Sequence, residues 1–411
     1  MAEIAPNASK HYLMAGIKAS TLTDAQYAQP LFMIRMNPGS FEDGNKIETE
    51  TDEGHTGVNN VDMGSYRKTA ESAPSWEDKL RYGEGLEDMI YMFLPNHEAT
   101  AYNDGTSDID GVYKHTFDIP ANYGEELPLM TVYNGFQATN YDGRAFNNQM
   151  VNEIEFTFSA DDAPTMKATM IGNYNNFNLK NPTRRYLADH KRRFVQAPHT
   201  TVYIGAVGAT EEQMLANPIN CFTEASLTIN HNAESLSCHG DEFGKNTLTV
   251  GTKEGTGSIS MPWLENTKYF ETEFEGFDKY AHIVSEDIPN KQIWFMCRGG
   301  NIHRFSESNT LGSGETLIGS TTVNETTTYE IATGIPFSTI FKIPEAEITS
   351  ATSPKSGTDA KDLTLEYKII EQPTQSYMNV ELVSDLAALH IDDVGTTLSA
   401  LRPMVAPFAT S

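Results

Sequence analysis

The chain has 411 residues, and its 56 aspartates and glutamates against 29 lysines and arginines give a formal net charge of −27. This length suffices for one large domain or two ordinary ones, and the acidic excess argues against a surface that binds the phosphates of nucleic acid or of an anionic membrane. Hydrophobic residues at 39% and aromatic residues at 10% exclude a disordered chain.

The terminus and the cysteines indicate where the protein is made. No run of about 18 uncharged apolar residues is present, so no membrane span is expected. The first residues lack the basic and apolar blocks of a signal peptide. Cys221, Cys238 and Cys297 have no CxxC spacing, which is not typical of a disulfide framework. We therefore expect synthesis in a reducing cytoplasm.

An acidic stretch lies near the N-terminus. Six acids fall within residues 41–57, namely Glu42, Asp43, Glu48, Glu50, Asp52 and Glu53. So polar a segment cannot bury a face of its own. The sequence predicts an acidic loop within residues 38–72 that stays mobile or becomes ordered on a partner.

Helical patterns are few. Ser75, with Asp78 three residues later, is typical of a helix cap, and Pro95 would end that segment. Two glycines in between favour two short pieces over one helix. A second helix is predicted to begin at Trp263, because three aromatic residues follow at helical spacing: Phe270, Phe274 and Phe277.

Short alternating segments dominate the chain. In residues 151–158, Ile154, Phe156 and Phe158 share one side and glutamates share the other, the period of a strand with one buried face. A polar turn and a second alternating run at 165–170 complete a β-hairpin. Further strands of this kind are predicted at 201–206, 224–230, 258–261, 292–296, 327–332, 341–348 and 363–370. The predicted fold is therefore mainly β, with antiparallel sheets and short flanking helices.

The order of these elements repeats after about 190 residues, which suggests a duplication. We expect a first β domain at 1–195, a second at 196–386 and a C-terminal tail or arm at 387–411. A rival frame aligns residues 131–135 with 201–205, but it places the helices on opposite sides of the matched strands.

A basic cluster lies between the two predicted copies, formed by Arg184, Arg185, Lys191, Arg192 and Arg193. It is too short and isolated, in so acidic a chain, to favour nucleic-acid binding. A linker that neutralises acids of a neighbouring subunit is the better interpretation.

Motifs of catalysis and metal binding are weak. His231, Cys238, His239 and Asp241 lie close in sequence but lack the paired spacing of a zinc site. Asp104, Asp108 and Asp110 resemble part of a calcium loop without its final glutamate. A glycosidase-like carboxylate pair stays open, yet nothing singles one out among 56 acids. We expect no metal, no cofactor and no enzymatic activity.

Several runs resemble the tail tube proteins of long-tailed bacteriophages. Residues 57–67 read Gly-Val-Asn-Asn-Val-Asp-Met-Gly-Ser-Tyr-Arg, and residues 80–90 read Leu-Arg-Tyr-Gly-Glu-Gly-Leu-Glu-Asp-Met-Ile. The strand runs at 151–159, 224–230 and 255–261 are similar to strands of that family. The resemblance covers most of residues 10–385 and rests on patterns of fold, without an active site.

The resemblance implies two tandem tube-type domains, each an antiparallel β-sandwich or partial barrel. In such proteins the inner sheets of neighbours join into a ring, and stacked rings form the virion channel through which the genome leaves. A chain with two fused folds implies trimeric, pseudo-hexameric rings, and a single enlarged fold implies hexamers. The implied partners are copies of itself, the tail terminator and tail tip proteins, and the tape measure protein during assembly in the host cytoplasm. DNA would pass without specific binding.

Two sets of residues follow as candidates for this function. Acids on the solvent-exposed face of predicted strands are expected to face the channel. They are Glu153, Glu155, Glu224, Glu345, Glu347 and Glu366. Charged residues outside the strands are expected to form contacts between subunits or rings, and they are Arg184, Arg185, Lys191, Arg192, Arg193, Glu48, Glu50, Asp52 and Glu53.

An alternative of a different class is a carbohydrate-binding or adhesive β-sandwich on a virion or cell surface. Such a module is expected to present clustered exposed aromatic residues and to remain a monomer or a small closed oligomer.

Overall fold

A computed structural model describes much of the chain. The described residues are 11–17, 31–34, 40–42, 44, 46–51, 65–82, 86–103, 105, 107–118, 127–136, 143–173, 176–178, 184–185, 195, 199–216, 218–219, 221–237, 245–262, 290–312, 314–323, 326–352, 362–371, 376–387 and 389.

These residues form 23 strands and two helices. The elements of the first half are β1 (His11–Ile17), β2 (Leu31–Ile34), β3 (Lys46–Thr51), β4 (Ser65–Ser72), β5 (Ser75–Lys79), α1 (Leu86–Phe93), β6 (Asn96–Asn103), β7 (Asp108–Asp118), β8 (Met130–Phe136), β9 (Gly143–Ser159), β10 (Thr165–Asn173), β11 (Asn176–Asn178) and β12 (Arg184–Arg185). Those of the second half are β13 (Thr200–Ala206), α2 (Glu211–Leu215), β14 (Pro218–Ile219), β15 (Glu224–Asn230), β16 (Glu234–Ser237), β17 (Lys245–Thr249), β18 (Glu254–Pro262), β19 (Lys291–Ser306), β20 (Thr316–Val323), β21 (Thr326–Thr352), β22 (Asp362–Ile369) and β23 (Asn379–Ser384).

Hydrogen bonds join 21 of these strands into one network, and β16 and β17 form a separate hairpin. Apart from the parallel pair β12–β2, every described pairing is antiparallel. Seven strands lie side by side in the order β5–β10–β9–β15–β18–β22–β21, which we call the large sheet. A second layer has the order β13–β19–β21–β23–β7–β6. The long strand β21 belongs to both layers.

The two layers pack face to face as a β-sandwich. Phe158 on β9 stacks on Phe295 of β19, with ring centroids 5.1 Å apart and planes 8° apart. Phe156 on β9 meets Phe341 of β21 at 4.5 Å. All four side chains are buried, so the alternating apolar residues of the sequence form the core between the layers.

Helix α1 covers part of this core and ends just before Pro95. Its residues are buried except Tyr91, and it contacts β9. The structure corrects the predicted start of this helix. Residues 75–79 form β5, which pairs with β10 over five residues. Trp76 and Asp78 on β5 are buried between half-buried neighbours, the alternation of a strand.

The hairpin at 151–170 is confirmed as β9 and β10, which pair from Thr165–Thr157 onwards. The strand predicted at 224–230 is confirmed as β15. The predicted acidic loop is wrong in part, because β3 lies within it and pairs with β4. The helix predicted from Trp263 lies outside the described residues.

Strands from both predicted domains pair with each other. Strand β15 lies beside β9 over seven residues, and β23 lies beside β7 over six. The boundary at 195–196 therefore separates segments that share ladders, and the division into two domains stays a prediction.

Candidate functional site: the polar face of the large sheet

The large sheet has one apolar side and one polar side because successive side chains of a strand point in opposite directions. Ile154, Leu227 and Ile259 lie on the buried side. The opposite side, which we call the polar face, holds serine, threonine, glutamate and lysine side chains. Its outermost described strands are β5 and β21, so it spans seven strands.

Rows of residues cross this face from strand to strand. One row follows the ladder Glu77–Lys167–Glu155–Thr228–Thr256–Lys368–Glu347. The next row toward the hairpin turn contains Thr157, Ser226, Ser258 and Glu366. Because the ladders fix the register, a one-residue slip would turn these side chains into the core.

Hydrogen bonds between side chains link neighbouring strands on the polar face. Asn230 of β15 donates to Glu153 of β9 at 2.8 Å, and Ser350 of β21 donates to Glu366 of β22, also at 2.8 Å. Hydroxyl pairs extend the pattern at Ser226–Ser258 and Ser260–Thr364, both 2.9 Å. Such cross-strand pairs stabilise the sheet and fix the polar side chains in place.

The charge of this face is mostly negative. Its described acids are Glu77, Glu153, Glu155, Glu224, Glu254, Glu347 and Glu366, and its described bases are Lys79, Lys167 and Lys368. Two of the lysines are engaged by acids. Lys79 binds Asp162 at 2.9 Å and lowers the pKa of that carboxyl by hydrogen bonding, and Lys368 lies 3.6 Å from Glu254. The surface is therefore acidic and rich in hydroxyls.

Five of the six candidate acids lie on this face. Glu153 and Glu155 are half-buried, whereas Glu224, Glu347 and Glu366 are exposed. Glu345 differs, because it is only 8% exposed and accepts a hydrogen bond from Asn290. In the sequence, Glu345 continues the alternation of Glu347, which predicts the same face for both. A register shift in β21 near Glu345 interrupts the ladder to β19.

The comparison with protein families decides which kind of protein carries this sheet. The sequence profile of the phage tail tube protein family matches residues 8–289. The chain belongs to this family. The match includes β9, β15 and β18 of the large sheet, whereas β19–β23 follow the matched residues. A comparison with curated proteins finds no match.

The structure of the tail tube protein places only some of the predicted contact residues. Arg184 and Arg185 form β12, which runs parallel to β2. Glu48 and Glu50 lie in β3. The remaining contact candidates lie outside the described residues: Lys191, Arg192, Arg193, Asp52 and Glu53.

The described residues also include some of the histidines, cysteines and acids that the sequence analysis considered for metal binding. Among the described residues, no three histidines, cysteines or acids gather where they could hold a metal ion, and none of the described helices has the length and apolarity to cross a membrane. Cys221 is exposed and Cys297 is buried, and burial raises the pKa of the Cys297 thiol to about 12. His231 is buried against Phe93, while Cys238, His239 and Asp241 lie outside the described residues.

Several elements of the described chain were not predicted from the sequence, among them helix α2 and strand β20. Helix α2 begins with a capping box, in which the Thr210 side chain accepts from the Gln213 backbone and the Gln213 side chain accepts from the Thr210 backbone. The Thr-x-x-Gln spacing was a readable signal for it. Strand β20 was also missed, and its β-branched threonines, isoleucine and valine were a readable signal for it.

Proposed function

We propose that copies of this protein form rings that stack into the tube of a phage tail, and that the polar face lines the channel through which DNA leaves the capsid. The observation that carries this proposal is the acidic, hydroxyl-rich face on a sheet whose central strands belong to the region matched by the family. A sheet with its other side sealed against a second layer leaves this face available for a channel wall.

A channel that passes DNA must not hold it. Each lysine or arginine that neutralises a phosphate adds to the affinity, and an acidic wall repels the duplex instead. Seven glutamates against three lysines on the polar face meet this requirement. Of the candidate acids, the proposed channel surface contains Glu153, Glu155, Glu224, Glu347 and Glu366. Glu345 is left out because its side chain is buried.

Ring composition follows from the proposed domain division. If residues 1–195 and 196–386 are duplicated tube folds, three chains give a pseudo-hexameric ring, and if they form one enlarged fold, six chains are needed. We favour the trimer because the order of elements repeats in the sequence. In this proposal the basic segment 184–193 meets the acidic segment 38–72 of a neighbouring subunit or ring.

The further partners follow from the same role. A tail tube ends at a terminator protein and at a tip, and it is built around a tape measure protein. We propose that this chain meets these partners during assembly in the host cytoplasm and remains in the virion tail, and that its role is structural, without catalysis.

The described surface gives no support to the alternative of a carbohydrate-binding module. Within the described residues, the large apolar side chains that are exposed are all aliphatic: Val207, Leu215, Val250, Leu311, Leu317 and Ile318. Sugar-binding surfaces commonly use exposed aromatic rings.

Negative-stain electron microscopy of the purified protein tests the proposal. Rings or open-ended tubes are expected. A protein that remains monomeric at high concentration, in low and moderate salt, would contradict the proposed function.

A further inference from the structure

An arm of three strands extends the second layer. It consists of the end of β19, the start of β21 and β20, with β21 in the middle. Strand β20 pairs with β21 and with no other strand among the described residues. One edge of β20 therefore presents unpaired backbone groups, as far as the described chain extends.

The composition of β20 favours pairing of this edge with another strand. The eight residues Thr316–Val323 carry no charge and no proline. Leu317 is 44% exposed and Ile318 is 47% exposed. Edge strands of soluble proteins are usually protected by charged residues or proline, and an uncharged β-branched segment is prone to pair with another strand. This edge lacks both of those protections.

Ile318 is the centre of the exposed segment. The ladder pairs Leu317 with Ile331 and Gly319 with Glu330, so Ile318 forms a bulge without a partner on β21. Leu311, which precedes the strand, is also 44% exposed. Three of the six exposed large apolar side chains of the described chain thus lie within residues 311–318.

Ion pairs hold the arm in a fixed position. Arg304 of β19 contacts both carboxylate oxygens of Glu315, at 2.7 and 2.8 Å, and lies 3.8 Å from Asp110 of β7. Hydrogen bonding from Arg304 holds the pKa of Glu315 below its usual value. His303 contacts Glu330 at 2.7 Å. A strand anchored at its start loses little conformational entropy when it binds.

Strand β6 offers a second edge of the same length. It pairs only with β7 among the described strands, and most of its residues are exposed, including three uncharged ones in succession, Ala99, Thr100 and Ala101. Both β6 and β20 have eight residues. Two β20 strands paired about a two-fold axis would close a dimer, whereas pairing of two different edges continues from copy to copy.

We propose that β20 of one copy adds to the β6 edge of the next copy in the assembly, so that main-chain hydrogen bonds join the second layers of neighbouring subunits. This inference rests on the proposed function, because the occupant is a second copy of a chain that assembles with itself. Strand β20 follows the residues matched by the family, whereas β6 lies within them.

Hydrogen exchange of isolated subunits and assembled tubes tests the pairing directly. Amides of 316–323 and 96–103 are expected to exchange at least about tenfold more slowly in tubes than in subunits, because strand pairing removes them from water. Tubes without added protection in either segment would overturn the inference while leaving the proposed function intact. Full protection of β20 already in the isolated subunit would also overturn it. Absence of any tube would instead contradict the proposed function.

A charge on the edge provides the second test. The double variant Ile318→Lys/Ser320→Lys is expected to fold but to raise the concentration needed for assembly about tenfold or more, because lysines on an edge oppose pairing. The matched control Asn309→Lys/Thr252→Lys adds the same charge at exposed positions off both edges and is expected to assemble normally. Equal assembly of both variants would overturn the inference.

Cross-linking identifies the partner strand. In a background with Cys221 and Cys238 replaced by serine, subunits with Ser320→Cys are mixed with subunits with Thr100→Cys and oxidised. Mixed dimers are expected. Cross-links formed only between two Ser320→Cys subunits would overturn the pairing with β6 in favour of a two-fold contact.

Discussion

Asn230 of β15 donates a hydrogen bond to Glu153 of β9 over 2.8 Å. The two residues are directly opposite each other in the ladder, although 77 positions separate them in sequence. One belongs to the first predicted domain and the other to the second. The polar face is therefore continuous across the predicted boundary, and a channel wall built from it would use both halves of the chain.

The aromatic contact between the two layers should contribute strongly to the stability of the fold. Phe158 is fully buried and stacked on Phe295, so Phe158→Ala leaves a cavity and is expected to destabilise the fold by about 3–5 kcal/mol. Phe158→Leu keeps most of the volume and should cost less. Urea unfolding followed by fluorescence measures both. Equal stability of Phe158→Ala and the unchanged protein would contradict the sandwich packing.

Reversal of charge on the polar face should affect DNA passage and leave assembly largely unchanged. With Glu153→Lys/Glu155→Lys, virions are expected to eject DNA more slowly, because new phosphate contacts form along every ring. The control Glu234→Lys/Glu307→Lys makes the same change of charge at exposed positions off this face. Ejection followed by a DNA-binding dye compares them. The same ejection rate for both variants would remove Glu153 and Glu155 from the proposed channel.

Buried histidine should make the fold sensitive to acid. Burial, with a smaller effect of Lys253, lowers the pKa of His231 from 6.5 to about 4. The unfolded chain therefore takes up a proton below about pH 6.5 and the folded chain only near pH 4. The contribution of His231 to stability is complete above pH 6.5 and declines by about 3 kcal/mol as the pH falls to 4. Burial also lowers the pKa of His97 to about 4, which acts in the same direction.

Unfolding free energies measured between pH 4 and 7 test this account. His231→Phe loses the hydrogen bond to the Phe93 carbonyl and should be less stable at pH 7, but its stability should depend less on pH. His199→Gln, at an exposed position, should keep the full dependence. An unchanged slope in His231→Phe would contradict the assignment.

The basic segment provides a test of subunit contacts. Arg192→Glu/Arg193→Glu is expected to block tube polymerisation and leave the subunit folded, because the acidic segment of a neighbour would then be repelled. Sedimentation and electron microscopy measure assembly, and circular dichroism measures folding. The milder Arg192→Gln/Arg193→Gln should assemble at a higher protein concentration. Normal tubes from the glutamate variant would show that these residues are not contacts.

The sequence predicts strands well where one face is buried and the other is exposed to solvent. Residues 153–159 of β9, together with β10 and β15, alternate strictly, and the structure confirms these strands with their faces as expected. Strand β5 was mistaken for a helix start, because a serine followed by an acid is a local signal, whereas its pairing with β10 depends on residues about 90 positions away. Local signals cannot report such contacts.

Exposed edges were the hardest elements to predict. Strands β6 and β20 lack a buried face, so the period-two pattern that marks β9 is weak in them. The position of Glu345 also depended on tertiary structure. It continues the alternation of Glu347, but a register shift and the hydrogen bond from Asn290 bury it. The alternation in the sequence therefore predicted correctly that five of the six acids share one face. It could not show that Glu345 is buried.

A reconstruction of assembled tubes by electron cryo-microscopy tests the central claim most directly. The account predicts a central channel whose wall is formed by β9, β15, β18 and β22, with Glu155, Glu224 and Glu366 pointing into it. A tube in which this face lies on the outside, or is buried between subunits away from the channel, would contradict the account.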